Sequence, residues 1–161
     1  MCGSYMHALR HNVEAIDIRN WSWSVADLTT PHIFISEALK VLKVQTFSII
    51  HLPSSICLPS LRILHFESVT INGHIDKAFF SAMPSLKTFI VENCRLSKHE
   101  SITISACQLE TLIITGSLFR MPITIFSGRL KSLDIEVAVA KLNLKFKGKF
   151  SYLSDAKFDI L

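Results

Sequence analysis

A right-handed α/β solenoid is the fold this sequence predicts, with one parallel strand per repeat and short helices or irregular turns on the convex side. Three observations predict it. First, the stretch Pro84 to Leu96 places Leu86, Phe89, Val91, Cys94 and Leu96 at every fixed position of L-x-x-L-x-L-x-x-N/C-x-L, the leucine-rich-repeat pattern. Second, the pattern's opening recurs at Leu61-x-x-Leu64-x-Phe66, Val13-x-x-Ile16-x-Ile18, Leu39-x-x-Leu42-x-Val44, Leu109-x-x-Leu112-x-Ile114 and Leu130-x-x-Leu133-x-Ile135, and in weaker form at Leu153-x-x-Ala156-x-Phe158. Third, the copies start 26, 22, 25, 23, 21 and 23 residues apart.

The period carries the argument. The chain is 49% hydrophobic, so four chosen positions are all apolar in roughly one window in sixteen by chance. A single copy shows little, but a near-constant spacing across about seven copies does. Each repeat has too little apolar surface to fold alone, so neighbours must stack. Residues 1–161 therefore form a single domain of about seven irregular repeats. The position two beyond the Asn/Cys slot is apolar in six copies, at Trp23, Ile49, Ile71, Leu96, Phe119 and Ala140.

Elements follow in order. Residues 5–12 carry Met6 and Leu9 at helical spacing ahead of Val13, which predicts a helix entering the first repeat. Trp21 and Trp23 plug the N-terminal end. Pro53, Pro59, Pro84 and Pro122 fall between strands, as a buried parallel ladder requires. Leu52 to Leu58 is an irregular turn. Asp76 to Met83 forms a short helix with Ala78, Phe79 and Ala82 inward. Ser101 to Ile104 and Pro122 to Ile125 alternate apolar and polar residues and predict small extra strands on the convex side. The last copy, ending in Phe158-Asp159-Ile160-Leu161, presents an uncapped strand on which chains would associate.

Composition narrows the function classes. Charged residues make up 19% of the chain and its net charge is +4. No apolar run reaches the length of a membrane span, and the N-terminus lacks a charged-then-apolar leader. Four cysteines without paired spacing suit a reducing interior, so an intracellular location, cytoplasm or nucleus, is expected. Cys94 fills a packing slot, and Cys107 reads as a structural thiol.

Catalytic chemistry is not expected. The five glycines are scattered, so there is no phosphate-binding loop, and neither Cys-x-x-Cys nor His-Glu-x-x-His spacing occurs. His7 and His11 lie four apart on the expected helix without a third ligand nearby. No cofactor and no metal site is predicted. Lys141, Lys145, Lys147 and Lys149 alternate with apolar residues. They read as guards of a half-exposed strand, with weak binding to nucleic acid or another acidic surface as the alternative.

The expected site is the concave face. In L-x-x-L-x-L-x the leucines point inward, and period-two alternation turns the third, fifth and seventh positions outward. At the middle of that face this predicts Ile63, Ile90 and Ile113, exposed and close together, with His65, Glu67 and Glu92 beside them. An apolar cluster flanked by carboxylates suits a protein partner or peptide segment with an apolar anchor and a basic flank.

The wording of the repeats resembles plant F-box proteins with leucine-rich repeats, many of which carry a C-terminal FBD region. Ala8 to Ile18 is similar to that family's entry into its first repeat, and Leu52 to Phe66 to its most recognisable stretch. Leu130 to Ile135 resembles its later repeats, and Tyr152 to Ile160 the segment ahead of the FBD region. The resemblance implies a non-catalytic module resembling the substrate-recruiting part of an F-box subunit in a cullin–RING ubiquitin ligase. No F-box or FBD region is recognised in these 161 residues, so adaptor binding is not expected of them; a fragment without independent function is the other reading. The family's Cys-Pro-x-Leu-Glu is replaced by Met83-Pro84-Ser85-Leu86-Lys87 and Ala106-Cys107-Gln108-Leu109-Glu110.

Overall fold

Seven strands, one from each expected repeat, stack side by side in a single parallel sheet. The computed structural model describes residues 12–20, 31–97, 101–117, 122–137 and 143–160. The strands are β1 (Ala15–Asn20), β2 (Val41–Thr46), β4 (Ile63–Glu67), β6 (Thr88–Glu92), β9 (Thr111–Ser117), β11 (Ser132–Val137) and β13 (Asp155–Ile160), adjacent in that order. Register is fixed by an unbroken ladder at the second repeat position. Lys40, Arg62, Lys87, Glu110, Lys131 and Ser154 each donate their N–H to the carbonyl of the equivalent residue one repeat earlier, at 2.7–2.9 Å. The predicted inward positions of the second to sixth copies are buried: Leu42, Val44, Leu64, Phe66, Phe89, Val91, Leu112, Ile114, Leu133 and Ile135 are all at most 2% exposed, whereas Ala156 and Phe158 of the last copy are exposed.

The convex side holds more strand than expected. After the main strands come β3 (Ile49–His51), β5 (Thr70–Asn72) and β7 (Arg95–Ser97), a second parallel sheet. Before the main strands of the later repeats come β8 (Ile102–Ser105), β10 (Ile123–Phe126) and β12 (Leu144–Lys147), a third. The two alternating segments flagged above are β8 and β10. The three-residue strands of the second sheet are too short for periodicity to reveal. Their core residue, Ile71 in β5, marks the position beyond the Asn/Cys slot.

One core position is corrected. Ile50, not Ile49, pairs with Ile71 and is buried. The corner explains the shift. In the third, fourth and fifth copies the eighth repeat position turns with positive φ: Ser68 at 58°, Asn93 at 53° and Gly116 at 60°. Thr46 holds that place in the second copy, and a β-branched residue resists such a φ. The corner there takes one more residue. Thr46 Oγ1 accepts from Ser48 N at 3.2 Å, Ser48 is buried, and Phe47 is thrown outward.

Before β6 lies helix α1 (Lys77–Ser81), capped by Asp76, whose Oδ1 accepts from Phe79 N at 3.0 Å. It buries Phe79 and Phe80, while Ala78 is exposed and Ala82 half-buried, against the expected inward set. Five residues offer one inward face, and the two rings claim it. Phe80 meets Phe79 and Phe89 edge-on at 5.2 and 5.4 Å; such pairs add to area burial. The expected N-terminal helix, apart from Asn12, lies outside the described residues, as do Trp21 and Trp23. Cys94 is buried in its slot, its Sγ donating to the carbonyls of Phe66 and Glu92 at 3.4 and 3.3 Å. Cys107, expected to be structural, is exposed on the turn ahead of β9.

Candidate concave binding face

Three rows of side chains run across the main sheet, one for each outward repeat position. The fifth-position row is Asp17, Lys43, His65, Ile90, Ile113, Asp134 and Lys157, each in register with the next. Ile90 and Ile113 are therefore direct cross-strand partners. Ile63 is not in their row: it pairs with Val41 and Thr88, two residues along from His65. All three isoleucines are half-buried rather than exposed, because flanking strands at about 4.8 Å cover the sides of each chain.

The seventh-position row runs Arg19, Gln45, Glu67, Glu92 and Thr115. Glu67 and Glu92 stand directly opposite on adjacent strands, an arrangement that costs stability when nothing offsets it. Two neighbours offset it here. Gln45 Nε2 donates to Glu67 Oε2 at 2.6 Å, and His65 Nε2 lies 2.8 Å from Glu92 Oε2. The His65 side chain is only 12% exposed, against 35% for Glu92. Sequence reading placed His65, Glu67 and Glu92 on one face but missed that His65 and Gln45 hold the two carboxylates. A polar residue beside each glutamate in the stacked rows was the signal.

Beyond Thr115 the row is broken by a bulge. Ile135 pairs with Ile114 and Val137 with Ser117, so Thr115 and Gly116 both stand opposite Glu136. At the β1 end Arg19 donates to Asp17, holding that carboxyl below its usual value, and at the β13 end Asp159 beside Lys157 raises the lysine. Across the three outward rows there are seven carboxylates and three lysines or arginines. The concave face thus carries −4 in a chain whose net charge is +4. On the second-position rim both carboxylates are paired with lysines: Lys40 meets Glu14 at 2.6 Å, and Glu110 lies between Lys87 and Lys131 at 3.5 and 2.8 Å.

The lysine-rich segment lies elsewhere. Lys145 and Lys147 are exposed on β12, in the third sheet, and Lys149 follows it; Lys141 is outside the described residues. Lys147 sits 5.5 Å over the Phe126 ring. Among the described residues no helix is long and apolar enough to cross a membrane.

Fold and face together define a leucine-rich-repeat solenoid with an acidic concave sheet centred on an apolar pair. The chain is 30% identical over 78 residues to an F-box/FBD/LRR-repeat protein of Arabidopsis thaliana, a match covering 48% of this chain and 19% of that relative. The matched stretch thus spans about a fifth of the curated relative. No family model matches the chain, and no solved structure matches it.

Proposed function

We propose that the chain is a non-catalytic protein-binding module whose concave face takes a segment with an apolar anchor and a basic flank. The observation that carries this is the in-register Ile90–Ile113 pair, half-buried at the centre of a face that carries −4. Ile90 and Ile113 form the anchor floor, with Ile63 one strand away. Glu67 and Glu92 read the basic flank, with His65 between the two surfaces. Half-exposed isoleucines at the middle of a sheet provide the desolvated centre that binding energy concentrates on, and the acid surround steers a basic partner. The resemblance to plant F-box proteins with leucine-rich repeats supports substrate recruitment for ubiquitination, inside the cell, as the role of that capture.

A peptide array tests it. Peptides with a central Leu, Ile or Phe and flanking Lys or Arg are retained by the chain; the same peptides with Asp or Glu flanks are not. Ile90→Asp with Ile113→Asp abolishes retention while circular dichroism is unchanged. Equal retention by the folded double variant would leave the concave face without this role.

A further inference from the structure

We propose that His65, Glu67 and Glu92 form a divalent-metal site on the floor of the concave face, with zinc(II) as the ion the donors suit. Each residue offers one ligand atom, and the three atoms lie within 4.8 Å of one another. Around zinc, tetrahedral donors at about 2.0–2.2 Å stand roughly 3.3–3.5 Å apart. The His65–Glu92 pair, at 2.8 Å, is closer than that spacing, so the ion moves these two donors about half an ångström apart and draws Glu67 in by side-chain rotation. β4 and β6, paired in register from Ile63–Thr88 to Glu67–Glu92, are the frame on which the three side chains turn.

The donor chemistry selects the ion. One imidazole nitrogen and two carboxylate oxygens match zinc's preferred ligands, with a fourth position left for water or a partner's side chain. Calcium and magnesium favour all-oxygen shells. Glu67 and Glu92 bring two negative charges onto adjacent strands, and a dication between them removes that repulsion. Gln45, donating to Glu67 Oε2 at 2.6 Å, is the outer-shell group that orients one ligand. In the metal-free chain His65 Nε2 and Glu92 Oε2 stand 2.8 Å apart. On binding, the nitrogen lone pair forms the N–Zn bond, and any proton on that nitrogen passes to buffer.

The test is calorimetric titration of the full chain with zinc chloride, paired with the visible spectrum of cobalt(II) as a substitute. Cys2, Cys57 and Cys107 are first changed to Ser to remove thiol background. One zinc per chain is expected, with cobalt d–d bands and no sulfur charge-transfer band. Glu92→Gln and His65→Gln each weaken binding by about tenfold or more, and Gln45→Ala by about tenfold; His7→Ala with His11→Ala leaves it unchanged. Glu92→Gln is near-isosteric and carries the test if the histidine variant unfolds. Absence of zinc binding, or full affinity in folded Glu92→Gln, overturns the site. Ile113→Ala, two strands from His65, leaves zinc affinity unchanged while weakening peptide retention, which separates the site from the peptide reading.

Discussion

His65 Nε2 lies 2.8 Å from Glu92 Oε2, one strand across and two residues along the concave sheet. The contact offsets the facing Glu67–Glu92 pair, so the two residues are energetically coupled. A double-mutant cycle of His65→Ala and Glu92→Gln, measured by urea unfolding, should give about 0.5–1.5 kcal/mol of coupling. Additive single effects would show that the contact contributes nothing.

Gly116, near the end of β9, stands at φ 60°, and a Cβ there would collide with Asn93 Oδ1. Gly116→Ala combines left-handed strain with a collision. A loss of about 1–3 kcal/mol is expected, larger than for alanine at Gly128, where a Cβ meets nothing within 4 Å. Equal melting temperatures for the two variants would rule this out.

Glu110 accepts from Lys131 and lies near Lys87, and this lowers its carboxyl below the usual value of 4.5. A depressed folded pKa stabilises the fold above the ordinary carboxylate pKa and loses that effect as pH falls through the folded value. Wild type should therefore melt higher than Glu110→Gln at pH 7, with the gap closing towards pH 3. A gap that does not depend on pH would assign the effect to packing.

Burial pushes the Cys94 thiol up to about 12, while Cys57 and Cys107 are exposed. Only thiolates react readily with alkylating agents. Iodoacetamide labelling mapped by mass spectrometry should mark Cys57 and Cys107 in the native chain, and Cys94 only in urea. Early native labelling at Cys94 would contradict its packing.

Phe146 and Phe158 occupy inward register, opposite Ile125 and Ile135, yet are 42% and 45% exposed. Their rings meet edge-on at 6.3 Å beside the outer strands β12 and β13. Such an edge promotes association. Light scattering of the 161-residue chain should show self-association that Phe146→Lys with Phe158→Lys reduces. A concentration-independent monomer would refute this.

The stacked parallel sheet, its register and its three outward rows are legible in the sequence, because a 21–26-residue period with inward leucines buries one repeat against the next only when equivalent positions align. It also placed Ile63, Ile90, Ile113, His65, Glu67 and Glu92 on one face. The rest arose in the folded chain. The strands of the second sheet are three residues long, below any readable periodicity, and exist because neighbouring coils supply their partners. Thr46 lengthens its corner and shifts the core residue to Ile50, a backbone effect that a pattern of apolar positions does not carry. Gln45 and His65 reach Glu67 and Glu92 because those contacts run between strands more than twenty residues apart in the chain. Cross-strand side-chain geometry, not residue type, turned two adjacent like charges into a held cluster of donors.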